Sequence, residues 1–281
     1  MSSPGISIFF GAVCSKVFFA LFSLDGLPIL GKLRPDMFSG GGFSMMGALF
    51  GGFVGAALSG LLLKKKAFQC MDAFAAAVPA FILFARLGEQ FDLNGDFGIS
   101  MPLTHPASVH WPAFMVQQGE YHNYLLVYKL EAIAAGLILI ILILDLLLHK
   151  NAKAGDTFIL FLLLFGGSQA VLESLRQDKH ITLSFVHLQQ IMVLPMVIGA
   201  VMMAAKRAGK KKRFLWKLLG CLILATLLGI SLEVAIYRPD LIFQMDIYLI
   251  YTIFTLLMAA LVYLGLRLRK GGSLIPWKKH K

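Results

Sequence analysis

The sequence predicts an all-α fold, a polytopic integral membrane helical bundle of about eight transmembrane helices. Composition comes first: of 281 residues, 58% are hydrophobic and only 15% are charged, whereas an average soluble domain carries ~25% charged residues. Run length comes second, because several apolar stretches approach the ~20 residues with which a helix crosses a bilayer. Backbone chemistry comes third. Lipid offers no hydrogen bonds, so only helices and closed barrels cross it, and long unbroken apolar runs mean helices. Residues 1–281 read as a single membrane domain.

The spans are expected at 6–24, 43–63, 69–88, 123–148, 157–175, 186–205, 214–236 and 246–267. Loop charge orients them. Lys64-Lys65-Lys66 follows the second span, His149-Lys150 and Lys153 the fourth, and Lys206-Arg207 with Lys210 to Arg213 the sixth. Arg267, Arg269, Lys270 and the Lys278-Lys279 tail follow the eighth. Basic clusters on alternate loops place those loops in the cytoplasm. Both termini are therefore expected inside, with 25–42, 89–122, 176–185 and 237–245 outside. The net charge of +11 belongs mostly to the inner loops, where it sets topology and attracts anionic lipid weakly. Nucleic acid is excluded as a partner, since the basic stretches are short and carry no aromatic stacking platform.

The first span has no positively charged segment before it, and Cys14 follows Val13 rather than a small residue. It reads as a retained helix rather than a cleaved signal. Cys14, Cys70 and Cys221 lie far apart and show neither metal spacing nor a disulfide pattern. The second span opens on Gly41 and Gly42 and continues with Gly47, Gly51, Gly52 and Gly55. Two roles stay open for these glycines. Small residues at this spacing let helices approach closely, and glycine amides at the span entrance can cradle a phosphate.

The third span ends in Arg86-Leu87-Gly88-Glu89, which runs on to Asn94-Gly95-Asp96 and Gly98. An arginine at membrane depth costs ~2.5–3.5 kcal/mol on insertion scales and usually lines a site; the simpler alternative is a side chain snorkelling to the interface. The long outer segment that follows holds His105, His110 and His122 without metal-ligand spacing, so no metal is expected. The fourth span carries Glu131 in its first turns. In the fifth, Gln169, Glu173 and Arg176 share one helix face, with Phe165 a turn below. Such a polar stripe should face the bundle interior, and an i,i+3 pair between Glu173 and Arg176 is the simpler account of it. Gln190 opens the sixth span, ahead of Pro195-Met196. The seventh and eighth spans carry no comparable motif. Two guanidiniums near the outer surface, Arg86 and Arg176, point to an anionic headgroup.

Taken in order, these segments resemble the prolipoprotein diacylglyceryl transferase family over residues 41–205. The family's Gly-Gly-x-Ser-x-His-Gly-Gly segment is similar to the stretch from Gly41. Its Gly-Arg-x-Gly-Asn-Phe-x-Asn-Gly-Glu signature is similar to Arg86 through Asp96, with a short insertion. Its Tyr-Glu-Ala resembles Leu130-Glu131-Ala132, its Glu-x-x-Arg helix resembles Phe165 through Arg176, and its Gln-x-x-x-x-Pro-Met resembles Gln190 through Met196. The departures are specific. Met46 stands at the family's essential histidine, Glu89 at its asparagine, Gln169 at an arginine and Leu130 at a tyrosine. Residues 206–281 add a two-helix region with a basic tail.

The resemblance implies a multi-pass enzyme of the bacterial plasma membrane that needs no cofactor. It would move diacylglyceryl from phosphatidylglycerol to the lipobox cysteine of a preprolipoprotein signal peptide, within the membrane lipids. Implied catalytic residues are Arg86, Arg176 and Glu131. Asn94, Gly95, Gly98, Glu173, Gln190, Gly41 and Gly42 are the implied substrate-binding residues. With Met46 unable to exchange a proton, the alternative is a non-catalytic relative that binds phospholipid or a lipobox-like peptide as a maturation or export accessory.

Overall fold

The computed structural model describes residues 3–22, 42–64, 66–91, 99–103, 112–118, 123–149, 153–175, 182–183, 186–237 and 247–269. Among these, eight helices appear: α1 (Ser3–Phe22), α2 (Met45–Leu62), α3 (Ala67–Gly88), α4 (Val127–Leu148), α5 (Asp156–Ser174), α6 (Leu188–Arg207), α7 (Lys212–Tyr237) and α8 (Ile247–Arg269). They follow the eight expected spans to within a few residues. Six are long and apolar enough to cross a membrane, namely α2 to α5 and the greater part of α7 and α8, and α1 holds a shorter apolar stretch, Pro4–Ala20. The chain is an all-α polytopic membrane protein.

The segment between α3 and α4 is not all loop, and here the sequence reading needs correction. Residues 123–126, expected to begin the fourth span, form a strand, and α4 starts only at Val127. This strand, β3 (Asn123–Leu126), is central to a small antiparallel sheet between β1 (Ile99–Leu103) and β2 (Val116–Gln118). Register pairs Ile99 with Leu126 and Val116 with Leu125. Residues 186–187, expected at the start of the sixth span, likewise pair as β5 (Val186–His187) with β4 (Thr182–Leu183). Strand pairing satisfies the backbone where the apolar run has not yet begun. Apolar content alone cannot tell such a lead-in from a first helical turn.

Two compact units divide the chain: Met1–Phe158 with Leu175–Leu183 and His187–Gln189, and Ile159–Ser174 with Ser184–Val186 and Gln190–Lys281. In the first, α1 and α2 pack along a glycine seam. A Cβ added at Gly47 would meet the Cys14 carbonyl oxygen at 2.6 Å, one at Gly51 the Phe10 oxygen at 2.2 Å, and one at Gly55 the Ser7 Cα at 2.7 Å. These glycines recur every four residues, so one edge of α2 lies against the α1 backbone. Ser44 caps α2, its side chain accepting from the Gly47 N–H at 3.2 Å. Lys64, at φ 53°, turns the chain away after the helix ends. Asp72 of α3 accepts from the Phe158 N–H at 2.8 Å and from the Gly155 N–H, capping the start of α5.

In the second unit, α5 is the most enclosed element, with Ile159, Phe161 and Leu163 fully buried. Glycines again set the approach. A Cβ at Gly166 would meet Val197 of α6 at 2.6 Å, and one at Gly167 would meet Val262 of α8 at 2.3 Å. Tyr251 of α8 donates its hydroxyl hydrogen to the Ser174 carbonyl, 2.9 Å away.

Candidate functional site

Arg86 sits on the buried stripe of α3. Ala75, Val78, Ile82 and Arg86 recur at helical spacing and are all buried, while Phe81 and Phe84 on another face are exposed. Helix α4 is patterned the same way: Tyr128, Glu131, Ala132, Ala135, Ile138 and Leu142 are buried, and Leu137, Ile140, Leu144 and Leu147 are exposed. The apolar faces that remain uncovered are what lipid solvates. Packing of α3 against α4 brings the last turn of one beside the first turns of the other. That juxtaposition places Arg86 and Glu131 together although 45 residues of sequence separate them.

The cluster is compact and largely dry. Arg86 Nε lies 2.8 Å from Glu131 Oε2, and Nη1 donates to Glu89 Oε1. Arg86 is 7% exposed and Glu131 2%. Nη2 is buried and has no hydrogen-bond partner among the described residues. A buried guanidinium persists only when carboxylates offset its desolvation, and Glu131 and Glu89 do so. They also fix the plane of the fork, which leaves one nitrogen free to donate. A planar fork with unused N–H donors in a low-dielectric setting suits a phosphate oxygen better than an ammonium would.

The remaining expected residues distribute as follows. In the second unit, Gln169 Nε2 donates to Glu173 Oε2 at 3.2 Å, and both side chains are 2% exposed. The described part of the expected stripe on α5, Gln169 and Glu173, is thus buried. Gly42 is described, and its carbonyl accepts from Lys16 Nζ at 3.2 Å. A Cβ at Gly42 would fall 1.9 Å from the Phe19 ring, which would have to swing aside to admit it. Met46 is buried in the α2 core. Gly41, Asn94, Gly95, Gly98 and Arg176 lie outside the described residues, as does the side chain of Gln190.

Sequence reasoning passed over two polar features. Lys16 interrupts the apolar run of α1, and that interruption was its visible signal. Ser15 donates to the Ser44 carbonyl at 2.7 Å and its own carbonyl accepts from the Ser44 N–H, a pairing that sequence spacing does not disclose. Glu89, already part of the polar cluster that the sequence singles out, sits directly on Arg86.

The family model described as prolipoprotein diacylglyceryl transferase matches residues 5–206. Among similar proteins is the phosphatidylglycerol–prolipoprotein diacylglyceryl transferase of Staphylococcus xylosus, 25% identical over 212 residues, covering 72% of each chain. That of Staphylococcus saprophyticus is 27% identical with the same coverage. That of Staphylococcus aureus strain Newman is 23% identical over 224 residues, covering 77% of this chain and 76% of its own. No solved structure matches the chain.

Proposed function

The chain belongs to the prolipoprotein diacylglyceryl transferase family, and from that premise we propose that it moves diacylglyceryl from phosphatidylglycerol to the lipobox cysteine of a preprolipoprotein in the bacterial plasma membrane. The observation that carries this reading is Arg86, buried, oriented by two carboxylates and holding an unused donor. In the reaction the cysteine sulfur bonds to the glyceryl carbon that carries the phosphoester. The carbon–oxygen bond breaks and glycerol phosphate leaves with the electron pair. Negative charge therefore gathers on the departing phosphate. Arg86, joined by Arg176, meets it with charge-assisted hydrogen bonds that strengthen as the bond breaks. The resemblance further implies substrate-binding roles for Asn94, Gly95, Gly98, Gly41, Gly42, Glu173 and Gln190.

The thiol proton needs an acceptor, and Met46 has no lone pair basic enough to serve. The carboxylates at Arg86 take that role in this reading. Glu131 is rigidly held, and Glu89, whose side chain is 26% exposed, retains contact with the surface. The test is transfer of labelled diacylglyceryl from phosphatidylglycerol to a lipobox peptide in liposomes. Transfer by the wild type, and its loss in Glu131→Gln, supports the enzyme. A wild type that binds phosphatidylglycerol through Arg86 yet modifies no lipobox peptide would instead establish the accessory reading, which the apolar residue at position 46 favours.

A further inference from the structure

Helix α8 lies beyond the family match, which ends at residue 206, and the reaction proposed above gives it no part. Within the second unit it runs antiparallel along α5. Three contacts mark its course. At the end of α5, Tyr251 donates to the Ser174 carbonyl at 2.9 Å. Two turns back, a Cβ at Gly167 would fall 2.3 Å from Val262. Further back, a Cβ at Gly265 would fall 2.4 Å from Leu163. Ser174, Gly167 and Leu163 descend α5 while Tyr251, Val262 and Gly265 climb α8, so the seam follows α5 for about 16 Å. Ile250, Phe254, Met258 and Leu268 of α8 are buried.

The Ser174 end of that seam is polar. An α-helix leaves its last four carbonyls without intrahelical partners, and Ser174, the last residue of α5, is 2% exposed. Carbonyls buried there need donors from elsewhere in the protein. The Ser174 hydroxyl donates to the Val171 carbonyl at 2.7 Å, and Tyr251 supplies the donor for Ser174 itself. The preceding residue is Glu173, whose buried carboxylate accepts from Gln169. The hydroxyl that ties Ser174 therefore fixes the backbone that adjoins Glu173.

We infer that Tyr251 is a positioning residue for substrate binding, acting through Ser174 on Glu173, to which the family resemblance gives a substrate-binding role. This role rests on the transferase reading, and it makes α8 part of the binding machinery. Tyrosine suits it because a carbonyl only accepts, and phenylalanine fills the same space without a donor. A misplacement of about 1 Å caused by a distant substitution can cost ~100-fold in rate. A tie that only stabilises the fold would act differently. Loss of folded enzyme lowers the apparent kcat and leaves KM alone, whereas a displaced binding residue raises KM and leaves kcat.

Steady-state transfer of labelled diacylglyceryl by the full chain in liposomes, with phosphatidylglycerol and lipobox peptide varied in turn, tests it. Glu173→Gln identifies the substrate whose KM depends on Glu173. Tyr251→Phe should raise the KM for that same substrate at least fivefold and leave kcat within twofold. It removes one hydroxyl from a half-buried ring, so the helix packing stays in place. Val262→Ala, which loosens the seam away from Ser174, should lower the thermal unfolding midpoint and leave both KM values within twofold. Unchanged kinetics in Tyr251→Phe, a loss confined to kcat, a KM rise for the other substrate alone, an equal rise in Val262→Ala, or no KM change in Glu173→Gln would each overturn the positioning role and leave the transferase reading intact. A wild type that transfers to no lipobox peptide overturns the transferase reading, and the positioning role falls with it.

Discussion

In the proposed reaction Arg86 is the central side chain, and its environment states what substitution should do. The guanidinium is enclosed, and Glu131 beside it is 2% exposed. Losing a charge-assisted contact to a desolvated phosphate costs several kcal/mol, so Arg86→Ala should lower transfer on the order of a hundredfold or more. The same change removes the guanidinium from Glu131, and breaking a buried pair typically costs about 3–5 kcal/mol of stability. Arg86→Lys isolates the catalytic share, because an ammonium retains the ion pair but not the planar fork. Its transfer rate should stay near that of Arg86→Ala while its unfolding midpoint stays nearer the wild type. Recovery of wild-type transfer by lysine would show that only charge matters. Met46→Leu should leave the rate almost unchanged, since one apolar core residue replaces another of like volume.

At the scale of elements, helix approach is set by glycine edges and by one cap. A Cβ at Gly51 would lie 2.2 Å from the Phe10 carbonyl oxygen, which is backbone and cannot swing aside. Gly51→Ala should therefore push α1 from α2 and cost about 1–3 kcal/mol as overpacking does, more than the ~1 kcal/mol that alanine contributes as a better helix former. Gly220 has nothing within 4 Å of such a Cβ, so Gly220→Ala should be neutral or slightly stabilising. Melting both variants in the same detergent compares them, and equal midpoints would refute the seam. Asp72 joins α3 to the amide groups at the start of α5 through the Phe158 and Gly155 N–H groups. Removing a cap costs about 0.5–2 kcal/mol, so Asp72→Ala should lower the midpoint, and earlier proteolysis in 150–158 should accompany it.

For the whole molecule, topology is the open quantity that charge determines. Basic clusters on alternate loops put Lys211 inside and the segment holding Glu120 outside. In a chain whose three cysteines have been replaced, Glu120→Cys should react in intact cells with an impermeant thiol reagent. Lys211→Cys should react only after lysis. The reverse pattern would invert the molecule and move Arg86 to the cytoplasmic face, where exported lipobox peptides are not yet across.

How much of this was legible in advance differs by level for physical reasons. Run length and loop charge are local, so the eight helices, their order and the interior face of Gln169 and Glu173 followed from the sequence by itself. A strand that leads into a helix is not local: β3 exists because Val116 to Gln118 and Ile99 to Leu103 return to pair with it. Motif order pointed to Arg86 and Glu131 separately, but their 2.8 Å contact depends on α3 and α4 lying side by side. Glu89 showed the same limit, since a residue three positions on reaches Arg86 only if the helix end turns it inward. Lys16 is a charge in an apolar run, yet only the packing of α1 beside the start of α2 brings its ammonium to the Gly42 carbonyl. The sequence alone determined which segments enter the membrane, because burial in lipid is decided residue by residue through transfer energy. Tertiary structure decided which charges meet, because that depends on how close two helix backbones can come.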